Sequence, residues 1–479
     1  MQTMKKEPST DKAQSSGITI LHNDVFANGV NYFEVDINLE GLPPELYAWL
    51  PRYNEAVNKM GAAGQSFTQI AERRAACTGG VGCHAQIFRH ATDPSRSLRR
   101  IRFGLKTLDG QEENALKLLG DLMFAVDPRD KARLRDVITQ TRAAHRTALI
   151  NDGAGTARRQ ASRGLSPEAA LDHLFISPDT LRVIEDLTTN FDKRADDIIA
   201  NIERVRDFLL TRVGQASSLS NLSKTKDKQD ACPTLSRWTV SFTGSDKVFN
   251  TLLRTLEEWS SRMKNESFAD APAPFTPFTT PPREGLVGPM KVAHCIKVLP
   301  APHLAQPDVP LFRLGLYISV FDYFLPEIRF KGNAYGAGIG HDDGQCLIVL
   351  NSLRDPHVVE TLRVFDGYRD WLNAQNWTQT DIDRAIIGSA KEAERPIRPG
   401  EATGTALVRH IRGDTNELRE QRYSTMLGAT PKSVKQTLLR VLESGEPKAA
   451  VCVVSSRERL EEANKSLGDR ALKLADILS

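Results

Sequence analysis

The stretch Arg329-Phe330-Lys331-Gly332-Asn333-Ala334-Tyr335-Gly336-Ala337-Gly338 stands where an apolar run meets a glycine-rich turn. Glycine lets a backbone bend and come close to a ligand, while a guanidinium offers a planar fork of donors and a phenol offers one more. Arg329 and Tyr335 flank the turn, so the spacing predicts two side chains that converge on one carbonyl or carboxylate, suited to holding a peptide and stabilising an oxyanion. A plain structural turn uses the same residue types, and the rest of the chain decides between the two.

Composition narrows the field. The 479 residues are 40% hydrophobic and 26% charged, and at roughly 100–200 residues per domain they predict two or three soluble domains. Lys and Arg number 63 against 60 Asp and Glu, and the net charge of +3 is too small at this length to predict a nucleic-acid partner. Arg96, Arg99, Arg100 and Arg102 read as the solvated edge of a strand rather than a phosphate track. Cys77, Cys83, Cys232, Cys295, Cys346 and Cys452 form no CxxC pair and no metal spacing, so free thiols are expected, with Cys232 the exposed one. No apolar stretch follows Lys5 and Lys6 and no run approaches a membrane span, so no membrane partner and a cytoplasmic location are expected.

Along the chain, a polar tail through residue 17 is followed by strands at 18–21 and 29–39, where Phe33, Val35, Ile37 and Leu39 alternate with Glu34, Asp36 and Asn38. Helices at 43–60 and 66–76, a turn at 77–80 and strands at 81–90 and 98–108 come next, then a largely helical stretch from 111 to 211. Strands and helices in this order predict an α+β layer rather than a βαβ repeat. Residues 215–234, rich in serine and lysine, read as a surface insertion within a first domain spanning 18–265, closed by a strand at 238–242 and a helix at 245–263. Residues 266–286, with prolines crowded at 271–282, read as a linker, and 287–479 as a second domain. There, strands are expected at 292–298, 311–320, 346–350 and 449–454. Helices are expected after Asp355-Pro356 and at 381–393, 416–426 and 433–444. The second domain repeats the first loosely.

Four motifs occur in order: Asn28-Gly29-Val30-Asn31-Tyr32, Thr78-Gly79-Gly80, Glu327 through Gly338, and Ser352-Leu353-Arg354-Asp355-Pro356 with Glu360-Thr361-Leu362. Together they resemble the C-terminal half of the presequence proteases, a branch of the pitrilysin-type zinc metallopeptidases. The resemblance implies two successive pitrilysin-type α+β domains, each a mainly antiparallel sheet packed with helices. It also implies a clamp in which a zinc-bearing N-terminal-type half closes on an unfolded peptide. Arg329 and Tyr335 would then position the peptide and stabilise the tetrahedral intermediate, with Gly332, Asn333, Ala334 and Gly336 lining the substrate. Donors of that kind are worth about 2.7–4 kcal/mol of barrier.

The zinc motif HxxEH is absent. His357-Val358-Val359-Glu360-Thr361 comes nearest, with threonine in place of the second histidine, and its position fits the family's second-half helix, so no metal is expected on this chain and zinc only in the partner half. His341-Asp342-Asp343 reads as a solvated turn, and the glycines at 336 and 338 lack the lysine and hydroxyl of a phosphate loop. Asn333 stands where the family commonly has a second glycine and His357 where it has asparagine, and the 215–234 insertion has no counterpart; asparagine tolerates the left-handed backbone the turn needs. The expectation is a substrate-binding half of a metalloendopeptidase for short unfolded peptides, either split from its zinc half or a piece of a longer product. The alternative is a non-catalytic peptide-binding or scaffold protein of the same fold. A nucleotide-binding protein built on the glycine turn is a third, weaker reading.

Overall fold

The computed structural model describes residues 10–15, 18–212, 237–265 and 283–478. In the first unit Thr10–Ser15 (β1) and Ile18–Asn23 (β2) pair antiparallel at one edge of a sheet. Part of the expected tail is therefore a strand. Edge strands are commonly polar because one side pairs and the other meets solvent, which hides them in a hydropathy reading. Asn28 and Gly29, both at positive φ, turn the chain into Val30–Asn38 (β3). Then follow Leu50–Lys59 (α1), Gly61–Ala62 (β4), Phe67–Cys77 (α2), Gly80–Arg89 (β5), Ser97–Leu108 (β6), Glu112–Ala125 (α3) and Val126–Asp127 (β7). Helices Lys131–Asn151 (α4), Gly153–Ser162 (α5), Pro167–Phe175 (α6), Pro178–Thr189 (α7) and Phe191–Leu209 (α8) lead to Thr211–Arg212 (β8), Trp238–Thr243 (β9), Asp246–Arg262 (α9) and Lys264–Asn265 (β10). The sheet order is β1-β2-β9-β3-β6-β5.

The second unit holds Arg283–Val287 (β11), Ala293–Pro300 (β12), Val309–Ser319 (α10), a π-helical continuation over Val320–Lys331, Gly336–Asp342 (β13) and Leu347–Asp355 (β14). Helices Val358–Ala374 (α11), Gln379–Ala393 (α12), Pro399–Arg412 (α13), Asn416–Leu427 (α14) and Pro431–Gly445 (α15) precede Ala450–Ser455 (β15), Arg457–Leu467 (α16) and Lys473–Asp476 (β16). The order here is β13-β14-β12-β15-β11-β16. Strands β2, β3, β5, β6 and β9 occupy the same sheet positions as β11, β12, β13, β14 and β15, so the second unit repeats the topology of the first and the α+β class holds.

Each sheet buries one face against its own helices. Phe33, Val35 and Ile37 join Tyr53, Leu119, Ile198 and Trp238 in the first core, and Cys295, Phe312, Ile339, Leu350, Phe365 and Leu438 form the second. The opposite faces carry an exchange. Helix α5 lays Ala157 and Ala161 against Ile296, Val298 and Val454 of the second sheet. Helix α13 lies on the first sheet, where the Ser241 hydroxyl donates to the Thr403 carbonyl at 2.9 Å and the Thr243 and Thr403 hydroxyls meet at 2.7 Å. Both helices stand between the fourth and fifth of those five matching strands, and both approach through small residues. A Cβ on Gly153 would meet the His294 ring at 2.7 Å, and one on Gly400 the Tyr32 ring at 2.6 Å.

Other expectations change. Residues 311–320 are helix, not strand: α10 is apolar nearly all round because Phe312 and Leu316 enter one core while Leu314 and Ile318 enter another, which blurs its period. Arg100 and Arg102 are buried, not solvated, and both reach the Asp36 carboxylate from β6, which lies inside the sheet. Residues 283–286, expected in the linker, belong to β11. The rest of that linker, the 215–234 insertion and Cys232 lie outside the described residues. Cys77, Cys83, Cys295, Cys346 and Cys452 are free thiols, and all but Cys346 are buried. No helix among the described residues is long and apolar enough to cross a membrane.

Candidate functional site

Arg329 lies in the last turn of the π-helical continuation of α10, in which Pro326 has no N–H to give to a regular helical bond. The chain then reverses within four residues. Gly332 is required by contact rather than by φ, since a Cβ there would lie 2.6 Å from the Ile328 carbonyl oxygen. Asn333 takes the left-handed conformation at φ +58°, as its short polar side chain permits. The Ala334 N–H donates back to the Ile328 carbonyl at 3.1 Å, and the Tyr335 N–H donates to the Leu353 carbonyl at 3.0 Å, starting the antiparallel pairing of β13 on β14. Ala334 is buried. Of the expected substrate-lining residues, Gly332, Asn333 and Ala334 thus build the turn.

Arg329 and Tyr335 are both exposed, Tyr335 by 67%. Arg329 lies 5.9 Å from the Phe330 ring centre. Neither side chain makes a hydrogen bond or ion pair with another described residue, whereas Lys331 in the same turn is tied to Glu327 at 2.7 Å. The Tyr335 ring is instead accompanied by Arg354, whose guanidinium carbon is 5.3 Å from the ring centre. Arg354 belongs to a motif visible in the sequence, but its approach to Tyr335 depends on the β13–β14 register.

Strand β13 sends Ala337 and Ile339 toward the second core, so Gly336, Gly338 and Gly340 share the other face, where Gly338 is buried and Gly340 exposed. A groove of about 500 Å3 opens on that face, bounded by Gly340, Asn351 and Leu353 of the sheet and by Asp152, Gly155 and Arg158 at the start of α5. Leu353, which precedes Arg354 and accepts the Tyr335 N–H, lines this groove, so the groove begins beside both residues. Beyond it, His341-Asp342-Asp343 is a junction and not a solvated turn. Asp342 pairs with Arg158, and Asp343 with Arg313 at 2.8 Å and Arg412 at 3.1 Å. Burial, together with the Arg313 charge, pushes the His341 imidazole down to about 3.

The segment His357–Thr361 does not fit zinc. His357 precedes α11, and Thr361 is buried with its hydroxyl donating to Asp355 at 2.6 Å, while the other Asp355 oxygen accepts the His357 N–H at 2.8 Å. Among the described residues no three His, Cys, Asp or Glu side chains come together as a metal ion would require. What Arg329, Tyr335 and Arg354 present to solvent is hydrogen-bond donors, two of them cationic, suited to an anionic or carbonyl oxygen.

Comparison with known proteins bears on this arrangement. Residues 2–187 match the family model for the associated domain of peptidase family M16, subfamily C, and residues 314–457 match the PreP C-terminal domain. A mitochondrial presequence protease of Danio rerio is 23% identical over 450 residues, covering 92% of this chain and 42% of that protein. A chloroplastic and mitochondrial presequence protease of Arabidopsis thaliana is 22% identical, covering 96% of this chain and 40% of its own length. The chain therefore spans about two fifths of these relatives. Among solved structures, a peptidase M16 inactive domain from Pseudomonas fluorescens superposes with a TM-score of 0.63 at 14% identity, covering 94% of this chain and 98% of that one. The periplasmic protease PqqL of Escherichia coli gives 0.59 at 12% identity, covering 95% of this chain and 46% of that one.

The fold is that of the non-catalytic peptidase M16 domains. The chain belongs to the pitrilysin-type M16 family and corresponds to the C-terminal half of its presequence-protease branch.

Proposed function

We propose that this chain is the substrate-binding half of a zinc metalloendopeptidase that degrades short unfolded peptides, and that it works with a zinc-bearing HxxEH half. The observation that carries this reading is the pair Arg329 and Tyr335, exposed and without a side-chain hydrogen bond or ion pair to another described residue, on either side of a tight reversal in a chain homologous to the non-catalytic half of presequence proteases. In the assembly, the zinc of the other half would supply the activated water. On this side, Arg329 holds the peptide through its guanidinium fork, and the Tyr335 phenol donates to the oxygen that gains charge as the carbonyl becomes tetrahedral. The reversal at Gly332 and Asn333 sets the backbone from which Tyr335 projects.

The test is to recover the assembly through a tag on this chain, measure its mass and zinc content, and compare peptide turnover with Arg329→Ala and Tyr335→Phe. A one-to-one complex silenced by a chelator is expected, with turnover lowered by about 10²–10³ on loss of one donor. Unchanged turnover in both variants would remove the assigned roles. A zinc-free chain that binds peptide and recovers no partner would favour a peptide-binding scaffold.

A further inference from the structure

Arg354 has no role in the reading above. Its backbone takes φ +48°, a left-handed conformation that a long side chain rarely adopts. Such departures persist where the surrounding structure fixes them, and here the fixing is visible on both sides. Leu353 accepts the Tyr335 N–H, and Asp355 is anchored by the Thr361 hydroxyl and the His357 N–H. Both Asp355 oxygens are engaged in those bonds and the residue is fully buried, so the carboxylate next in sequence does not serve as a counter-ion for Arg354. Arg354 is exposed and makes no ion pair or hydrogen bond from its side chain to another described residue; its guanidinium lies over the Tyr335 ring, 5.3 Å from the centre, and its charge also bears on His294. On a constrained backbone, over an exposed phenol and without an ion-pair partner among the described residues, the guanidinium can meet an external anion.

We infer that Arg354 is a positioning residue that binds a carboxylate of the peptide substrate and sets its register against Tyr335. The inference rests on the reading of this chain as a peptide-binding half. The exposed Gly340 and the groove it lines with Asn351 and Leu353 give an extended peptide main chain room to continue past the anchored carboxylate toward α5. Two sources of the carboxylate share this chemistry, an acidic side chain and the free C-terminus of a short peptide.

The experiment measures binding of fluorescent unstructured peptides to the full chain. One is neutral with an amidated C-terminus, one neutral with a free C-terminus, and one carries a single glutamate with an amidated C-terminus. At low salt, at least one carboxylate-bearing peptide is expected to bind about five- to tenfold more tightly than the neutral amide, and which one does so identifies the source. Arg354→Asn keeps a residue that tolerates the left-handed backbone and is expected to bring all three affinities together. Arg354→Lys is expected to restore part of the preference, with a charge but no fork. Equal affinities in the wild-type chain, or a preference that survives Arg354→Asn, overturns the inference while leaving the peptide-binding reading standing. Failure of the wild-type chain to bind any of the three peptides overturns both.

Discussion

The hydroxyl of Thr243, on the last strand of the first sheet before α9, lies 2.7 Å from the hydroxyl of Thr403 in the second unit. The contact belongs to the exchange of α5 and α13, through which each unit covers part of the other's sheet. Fully burying an aliphatic side chain stabilises by about 1.5–3 kcal/mol, and the cluster between α5 and the second sheet contains several, among them Leu149, Leu181, Ile296 and Val298. A protease site introduced between residues 265 and 283 should therefore yield two fragments that co-elute on gel filtration and separate only in denaturant. Separation in plain buffer would show that the exchanged helices do not hold the units together.

Substitution at Gly400 should loosen the same junction. A valine there drives its Cβ into the Tyr32 ring, at a cost of about 1–3 kcal/mol in urea unfolding. An unchanged midpoint would mean that α13 can lift off the sheet without penalty.

Glu34 and Asp36 share the polar face of the first sheet with Arg100 and Arg102. Burial raises the Glu34 carboxyl to about 7, the Arg102 charge opposing and the Asp36 charge adding to the effect. Between its ordinary 4.5 and about 7, the folded chain keeps a proton that the unfolded chain has released, so this group's contribution to stability falls as pH rises through that window. Glu34→Gln should thus match the wild type near pH 4 and exceed it by about 1–3 kcal/mol at pH 8. Equal stabilities at pH 8 would exclude the linkage.

The reversal before Tyr335 makes a graded prediction. Gly332→Ala should destabilise by about 1–3 kcal/mol through the Ile328 carbonyl. Asn333→Val should cost roughly 1–2 kcal/mol through its positive φ, and Asn333→Gly should change stability by about 0.5 kcal/mol or less. If Asn333→Val proves as stable as Asn333→Gly in thermal unfolding, the left-handed turn is not what holds Tyr335.

Completing the zinc motif by Thr361→His should not create a metal site. Position 361 is buried against Asp355 while His357 lies outside the helix, so the variant loses the hydroxyl bond and about 1–3 kcal/mol and takes up no zinc by elemental analysis. Stoichiometric zinc would refute this account of the segment.

Alternation in residues 29–39, the helical face of Ile198, Ile202, Val205 and Leu209, and the motif around Arg329 are enough to read an α+β chain of two repeated units and to single out Arg329 and Tyr335. These signals are local, because each depends on which side of one strand or helix is buried. Helix α10 escapes such a reading because it is buried on two sides, and α13 escapes it because Gly400, Thr403 and Gly404 supply closeness rather than hydrophobic bulk.

The class of each unit, the left-handed tolerance at Asn333 and the lack of an intact HxxEH all follow from the chain read residue by residue. Packing in three dimensions settled that α5 and α13 change places, that Arg100 and Arg102 are buried against Asp36, and that Arg354 stands over Tyr335. Each of these joins residues far apart in sequence or on neighbouring strands. Their distances follow from sheet register and the docking of one layer on another, quantities that no single segment encodes.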